Sequence, residues 1–199
     1  MIVAASISTL GIANLVLAWA LALLWVVHLL EAARGMPKIE EVTGKDWNIP
    51  AEWIISCETN RSTPSITIVV PARNEALTIE PALRSLRKLD YPNYEIVVID
   101  DRSDDGTAEV IRRVAAESKG APVRVVTVRE LPPQWLGKTH AMWSGARQSK
   151  SDWILFTDAD VVFRPDAVRR AVAYAEKEEV DHLVLFPTML TYTPGERMM

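Results

Sequence analysis

The chain has 199 residues, which is enough for one domain with an appended segment. Its net charge at pH 7 is -4, with 22 Lys and Arg against 26 Asp and Glu. This balance excludes a broad basic face that binds nucleic acid, so no nucleic-acid partner is expected. The single cysteine, Cys57, excludes an internal disulfide and fits a reducing compartment.

The first thirty residues contain no Lys, Arg, Asp or Glu. Residues 12–30 alone approach the length of about 20 apolar residues that a bilayer span requires. A cleaved signal peptide would have a basic start and a shorter apolar core, so we predict an uncleaved transmembrane anchor over residues 1–33. Basic residues follow this segment at Arg34, Lys38 and Lys45, and none precedes it. The positive-inside rule therefore predicts a cytoplasmic position for everything after the anchor.

Residues 34–63 mix Pro, Gly, charged residues and Trp without a sustained period, which is typical of a juxtamembrane linker. From residue 64 to residue 199, short apolar runs alternate with helical periodicity. Strands are predicted at Ile66–Val70, Glu95–Ile99, Val123–Val128, Trp153–Phe156 and His182–Phe186. Helices are predicted at Ile79–Leu89, Val110–Ala115, Thr139–Gln148 and Asp166–Glu178. This alternation predicts an α/β domain with a mostly parallel, doubly wound sheet.

Polar clusters follow three of the predicted strands. They are Pro71–Glu75, Asp100–Asp101 and Asp158–Asp160. The carboxyl ends of parallel strands meet at one edge of a sheet, so these clusters are expected around one crevice. Open α/β sheets bind nucleotides in that position.

The residue types in these clusters indicate the chemistry that each can perform. Asp158 and Asp160 are carboxylates at positions i and i+2, and such a pair can share a divalent cation and a ribose hydroxyl, so Asp158 is expected to bind the nucleotide sugar as well as the metal. Hard oxygen ligands suit Mg²⁺ or Mn²⁺, which usually bridge to substrate phosphates. Asp100 and Asp101 can accept hydrogen bonds from a base or a ribose hydroxyl. Lys138 lies near the start of a predicted helix, where an ammonium and free backbone N–H groups can meet a phosphate.

Two common nucleotide-binding motifs are missing. The turn after the first strand lacks the Gly-x-Gly-x-x-Gly of dinucleotide sites, which argues against NAD or FAD. Gly137-Lys138-Thr139 is similar to the end of a P-loop, but the first glycine of that motif would fall on Pro132. A P-loop is therefore excluded.

Four motifs in this order resemble glycosyltransferase family 2, the nucleotide-sugar enzymes with a GT-A fold. They are VVPARNE at 69–75, VVIDDRSDDGT at 97–107, LGKTHA at 136–141 and FTDAD at 156–160. The resemblance runs from Ile66 to about Leu190. Residues 131–138 are similar to the membrane-anchored branch that includes hopanoid-associated and ceramide-type glycosyltransferases.

The resemblance implies roles for the matching positions. The residues that would line the nucleoside pocket are Pro71, Arg73, Asn74 and Glu75. Asp101, with Asp100 beside it, would contact the base, and Lys138 would lie near the diphosphate. Asp158 and Asp160 would form the D-x-D metal site, with Asp160 as the direct ligand of Mg²⁺ or Mn²⁺. The expected donor is a UDP-sugar, the expected acceptor is a hydroxyl group, which a lipid could carry, and transfer is expected with inversion.

The resemblance leaves two alternatives open. Family members carry a catalytic carboxylate and an acceptor-binding half after the fifth strand, and residues 190–199 contain no matching acidic motif. The domain is therefore expected to be incomplete at its C-terminus, and one alternative is a donor-binding module without transfer activity. The other is a sugar nucleotidyltransferase, which would carry a Gly-rich loop after the first strand; Pro71–Ala76 contains no glycine.

Overall fold

The computed structural model describes residues 9–35 and 63–188. Most of the predicted linker, and residues 189–199, lie outside the described residues. The chain divides into two compact units, an N-terminal helix and an α/β domain.

The N-terminal unit is one long helix, α1, at Thr9–Gly35. Its segment Gly11–Gly35 has 25 residues and a mean hydropathy of 2.1, so it is long and apolar enough to cross a membrane. Large apolar side chains such as Leu17, Trp19 and Trp25 are exposed along it. A helix that is apolar all round is typical of a membrane span or a buried core helix, which agrees with the predicted anchor.

The second unit is a parallel α/β sheet flanked by helices, as predicted. Its strands are β1 at Ile66–Ala72, β2 at Tyr94–Asp101, β3 at Val123–Val128 and β4 at Trp153–Phe156. Its helices are α2 at Ile79–Leu86, α3 at Thr107–Ala115, α4 at Gly137–Ala146 and α5 at Ala167–Lys177. The strand order is β3–β2–β1–β4, and each pair is parallel.

The two faces of this sheet carry different helices. Side chains of alternate strand residues, such as Ile68 and Val98, share one core with α2, α3 and α5. The residues between them, such as Val69 and Val97, pack with Ala141 of α4 in a second core. The chain thus leaves β3, crosses the opposite face through α4 and enters β4 beside β1. The strand order reverses between β1 and β4, and a doubly wound sheet opens a crevice at such a point.

The prediction of a fifth strand at 182–186 is wrong. Residues 182–188 have no strand pairing. Leu183 and Leu185 instead line an apolar groove of about 140 Å³ with β4 and α5, including Trp153 and Val172. A short apolar run is consistent with a buried strand or with other packed structure, and only backbone pairing decides between them.

Helix α4 lies unusually close to the sheet because residue 145 is a glycine. A Cβ atom added to Gly145 would lie 2.4 Å from Cγ1 of Val69 and 3.4 Å from Cδ1 of Ile99. Both contacts come from the strands that end at the polar crevice. The missing side chain therefore sets the distance between α4 and the strands.

We predict that Gly145→Ala destabilises the domain by about 1–3 kcal/mol, because the new methyl group overpacks against Val69. Adding Val69→Ala removes the clashing atom, so the double variant should be more stable than the sum of the two single effects, by about 0.5–3 kcal/mol. Thermal unfolding of the four proteins in detergent measures both quantities.

The matched control is Gly35→Ala, since nothing lies within 4 Å of a Cβ atom at that position. Strictly additive effects of Val69→Ala and Gly145→Ala would show that the two residues do not compete for space.

Candidate functional site

The predicted polar clusters do meet at one edge of the sheet. They surround a cavity of about 370 Å³ together with the start of α4. Val69 pairs with Phe156, the last residue of β4, and β1 continues beyond this pair to Ala72. The lining residues are Pro71, Ala72, Arg73, Glu75, Asp101, Gly137, Lys138, Ala141, Asp158, Ala159 and Asp160. Two predicted site residues, Asn74 and Asp100, are absent from this lining.

Asn74 joins two loops beneath the cavity. Its φ angle is 57°, in the left-handed region that asparagine tolerates better than most residues. Its backbone N–H donates to Ser103 Oγ at 3.2 Å, and its Oδ1 accepts from the Asp104 N–H at 3.0 Å. The neighbouring Glu75 N–H donates to Thr107 Oγ1 at 2.8 Å. These bonds tie the turn after β1 to the start of α3.

The adjacent acids at the end of β2 have different surroundings. Both are 3% exposed. Asp100 accepts a 3.3 Å hydrogen bond from the Ser103 N–H and supports the turn after β2. Asp101 lines the cavity and therefore faces whatever occupies it.

Arg102 holds the carboxylate of Asp101 with two hydrogen bonds. Its Nε lies 2.8 Å from Oδ1 and its Nη2 lies 2.9 Å from Oδ2. These hydrogen bonds lower the pKa of Asp101 against the effect of burial, and the charges of Arg102, Arg73 and His140 lower it further. Asp101 is therefore an ionised carboxylate that can only accept hydrogen bonds.

The first turn of α4 closes the cavity on the side of β2. A Cβ atom at Gly137 would lie 2.9 Å from Asp101 Oδ2 and 3.0 Å from Arg102 Nη2. A side chain at this position would require the ends of Asp101 or Arg102 to shift. Leu136, the residue before the helix, is extended, and the free N–H groups of the first turn form an electropositive helix end.

The two predicted metal residues lie on the turn that follows β4. Asp158 and Asp160 are exposed, while Ala159 between them is 4% exposed and belongs to the core. The buried alanine fixes the turn, so both carboxylates project from it. Lys138 Nζ lies 2.6 Å from Asp158 Oδ1, so the ammonium on the first turn of α4 contacts the acidic turn that follows β4.

A family model described as Glycosyl transferase family 2 matches residues 67–195. The match includes both strand ends that carry the acids and the start of α4. This chain belongs to glycosyl transferase family 2.

Two sets of curated family 2 relatives carry the same name. The chain is 33% identical over 139 residues to the 4,4'-diaponeurosporenoate glycosyltransferase of Staphylococcus haemolyticus, covering 69% of this chain and 36% of that protein. It is 39% identical over 114 residues to the 4,4'-diaponeurosporenoate glycosyltransferase of Staphylococcus aureus, covering 57% of this chain and 28% of that protein. The chain thus spans about a third of the length of the curated relatives it matches.

Solved family 2-like structures agree with the fold. The mannosyltransferase PcManGT from Pyrobaculum calidifontis, solved with GDP-Man and Mn²⁺, is 32% identical with a TM-score of 0.51. The alignment covers 56% of this chain and 32% of that one. TarS of S. aureus has a TM-score of 0.50 at 23% identity, over 58% of this chain and 33% of TarS, and shows the fold alone.

The family 2 cavity offers a divalent cation two carboxylates. Among residues 9–35 and 63–188, no group of three or more His, Cys, Asp or Glu residues could hold a metal ion. Mg²⁺ commonly takes one or two protein carboxylates and completes its shell with water and substrate phosphates. Asp158 and Asp160 fit that donor set, with hard oxygen ligands at the open side of the cavity.

An aromatic cluster lies on α4 and the residues just before it, and the sequence predicts no role for it. The ring centroids of Trp135, His140 and Trp143 lie 5.1–5.8 Å apart, and the Arg147 guanidinium lies 4.5 Å from the Trp143 ring. His140 is buried, and its Nδ1 has no hydrogen-bond partner among the described residues. The spacing of His140 and Trp143 indicates one helix face, but only the fold brings Trp135 onto it.

We predict that Arg102→Met lowers the thermal stability at pH 7. The folded pKa of Asp101 lies below its unfolded value of about 3.9, so its ionisation contributes stability above that pH. That contribution is lost as the pH falls through the folded pKa. The deficit of the variant should therefore shrink below about pH 4, as measured by unfolding midpoints across pH.

Arg112→Met is the matched control, because Arg112 forms an exposed 3.3 Å pair with Glu109. Arg102→Lys should restore part of the effect. Equal deficits for Arg102→Met and Arg112→Met at every pH would contradict the assigned ion pair.

Proposed function

We propose that this chain binds a nucleotide-diphosphate sugar as the donor-binding part of a membrane-anchored, inverting glycosyltransferase. The observation that carries this proposal is the cavity at the carboxyl ends of β1, β2 and β4, where acids, Lys138 and the start of α4 converge within the family 2 segment. PcManGT, which is 32% identical, was solved with a nucleotide sugar and Mn²⁺. That supports the same ligand classes here.

The nucleoside is proposed to bind at the β1 and β2 side of the cavity. Asp101 accepts hydrogen bonds from the base, because Arg102 keeps it ionised and leaves its outward lone pairs free. Arg73, Glu75 and Pro71 line the same side. Asn74 and Asp100 hold the turns after β1 and β2 through their hydrogen bonds to Ser103 and Asp104.

The diphosphate is proposed to bind between α4 and the turn after β4. Lys138 and the free N–H groups of the first turn face the phosphates. Asp158 and Asp160 would hold Mg²⁺ or Mn²⁺, which would supply positive charge to neutralise the departing nucleoside diphosphate. An acceptor hydroxyl would attack the anomeric carbon as the bond to the diphosphate breaks with inversion, and the hydroxyl proton would pass to a general base, a role assigned to none of the described residues.

Two further features are proposed from the sequence and from α1. The helix anchors the chain in a membrane with the α/β domain on the cytoplasmic side, and the acceptor is a lipid in that membrane. The hydropathy of α1 supports the anchor. The relatives named for 4,4'-diaponeurosporenoate support the proposed class of acceptor, a lipid, but they do not identify the acceptor of this chain.

A second candidate is a donor-binding module without transfer activity. It rests on the same cavity, whose lining acids and Lys138 are assigned to the donor, with no lining residue assigned as a catalytic base. Both candidates bind the donor, so nucleotide binding tests what they share. The two candidates are distinguished by transfer of radiolabelled sugar from a UDP-sugar or GDP-sugar to the lipids of an extract, because only the glycosyltransferase produces labelled lipid.

We predict that the full chain in detergent binds UDP or GDP in a Mn²⁺-dependent way. UDP is the expected nucleotide, because the expected donor is a UDP-sugar. Asp160→Asn should weaken this binding at least about tenfold, since the metal loses a ligand beside the phosphates. Isothermal titration calorimetry with and without Mn²⁺ measures it. The matched control is Glu130→Gln, an exposed acid outside the cavity lining.

Metal-dependent binding that is equally tight in the parent and in Asp160→Asn would show that Asp160 is not a metal ligand. Absence of binding by both nucleotides would contradict the donor site itself.

The proposed topology predicts how Cys57 reacts in cells. It is the only cysteine and follows α1 in sequence, so a membrane-impermeant maleimide should label it only after the membrane is permeabilised. The matched control is Ile2→Cys in a Cys57→Ser background, which should be labelled in intact cells. Labelling of Cys57 in intact cells would reverse the proposed orientation.

A further inference from the structure

Lys138 and Asp158 form an ion pair inside the candidate donor cavity. Nζ lies 2.6 Å from Oδ1, and the two residues come from different elements, the first turn of α4 and the turn after β4. The side chains are 64% and 57% exposed. Neither is fixed by packing, so the pair can separate without disturbing the core.

Asp158 is also one of the two carboxylates proposed to hold a divalent cation. An ammonium 2.6 Å from Oδ1 and a metal ion on the same carboxylate would bring like charges within a few ångströms. The two cations therefore compete for Asp158. A lysine suits such a competition, because its charge is a single point on a flexible four-carbon stem.

A second position for the ammonium lies within its reach. Lys138 belongs to the first turn of α4, whose free N–H groups face the cavity and favour an anion. A diphosphate at this helix end would therefore meet both the N–H groups and the lysine. Asp158 and the phosphate are alternative partners of the same side chain.

We propose that a divalent cation displaces Lys138 from Asp158 and that the released ammonium then binds the diphosphate of the donor. Metal binding and nucleotide binding are thereby coupled through one side chain. This inference rests on the proposed donor site. It makes Lys138 a positioning residue that changes partner, in addition to its predicted place near the diphosphate.

Removal of Lys138 should have opposite effects on the two ligands. Mn²⁺ alone should bind more tightly, because its competitor is gone. UDP at saturating Mn²⁺ should bind less tightly, because the phosphate has lost a cation. Loss of a residue with only a structural role would not strengthen the binding of the metal by itself.

The test uses the full chain in detergent and the variants Lys138→Met, Lys138→Arg and Lys150→Met. Free Mn²⁺ is measured by electron paramagnetic resonance, and UDP binding by calorimetry at saturating Mn²⁺. Lys138→Met should lower the Kd for Mn²⁺ about two- to fivefold, as expected for loss of an exposed ion pair. It should raise the Kd for UDP several-fold.

The two other variants are the controls. Lys138→Arg keeps the positive charge, so its Mn²⁺ affinity should stay near that of the parent. Lys150 is exposed and lies outside the cavity lining, so Lys150→Met should change neither affinity.

An Mn²⁺ affinity of Lys138→Met that equals or falls below that of the parent overturns the exchange, and so does unchanged UDP binding. Failure of the proposed function looks different, because the parent itself would then bind no nucleotide in the presence of Mn²⁺.

Discussion

The close contact between α4 and the sheet positions most of the candidate site. At its C-terminal end, Gly145 lets the helix lie against Val69 and Ile99. At its N-terminal end, Gly137 lets the first turn lie against Asp101 and Arg102. A side chain at Gly145 would push the helix away from the strand ends, and one at Gly137 would displace the ends of the Asp101 and Arg102 side chains. The free N–H groups and Lys138 would then no longer face the acids across the cavity.

The same contact explains how charge is distributed in the cavity. One wall carries the ionised Asp101, whose pKa is lowered by Arg102. The opposite wall carries Asp158 and Asp160, and the positive end of α4 lies between them. A nucleoside diphosphate with a divalent cation carries complementary groups in the same order. The base donates hydrogen bonds to Asp101, the phosphates are negative at the positive end of α4, and the cation is positive between Asp158 and Asp160. This match, rather than the fold alone, favours a nucleotide-sugar donor, because α/β folds host many unrelated functions.

Much of this arrangement was predictable from the sequence. The strands are runs of Val and Ile between polar turns, and parallel strands place their carboxyl ends at one edge. That logic alone brings Arg73, Asp101 and Asp158 together. The start of a helix near Lys138 followed from helical periodicity. The confirmed predictions of the fold are those that depend on local pattern and on the direction of parallel strands.

The rest depends on contacts that no local pattern contains. Arg102, which pairs with Asp101, has a left-handed backbone with a φ angle of 58° that no local pattern predicts. In the sequence, Gly145 is a residue of low helix propensity within a predicted helix. Its role in letting α4 approach Val69 is visible only in the structure. The apolar run at 182–186 predicted a strand, but it pairs with none of the four described strands.

Crystals of the chain grown with Mn²⁺ and UDP would locate both ligands at once through the anomalous signal of manganese. We predict a manganese peak between the carboxylates of Asp158 and Asp160, with the diphosphate between that peak and the first turn of α4. The Lys138 ammonium should then contact a phosphate oxygen rather than Asp158. A manganese peak away from Asp158 and Asp160, or a diphosphate away from α4, would contradict it.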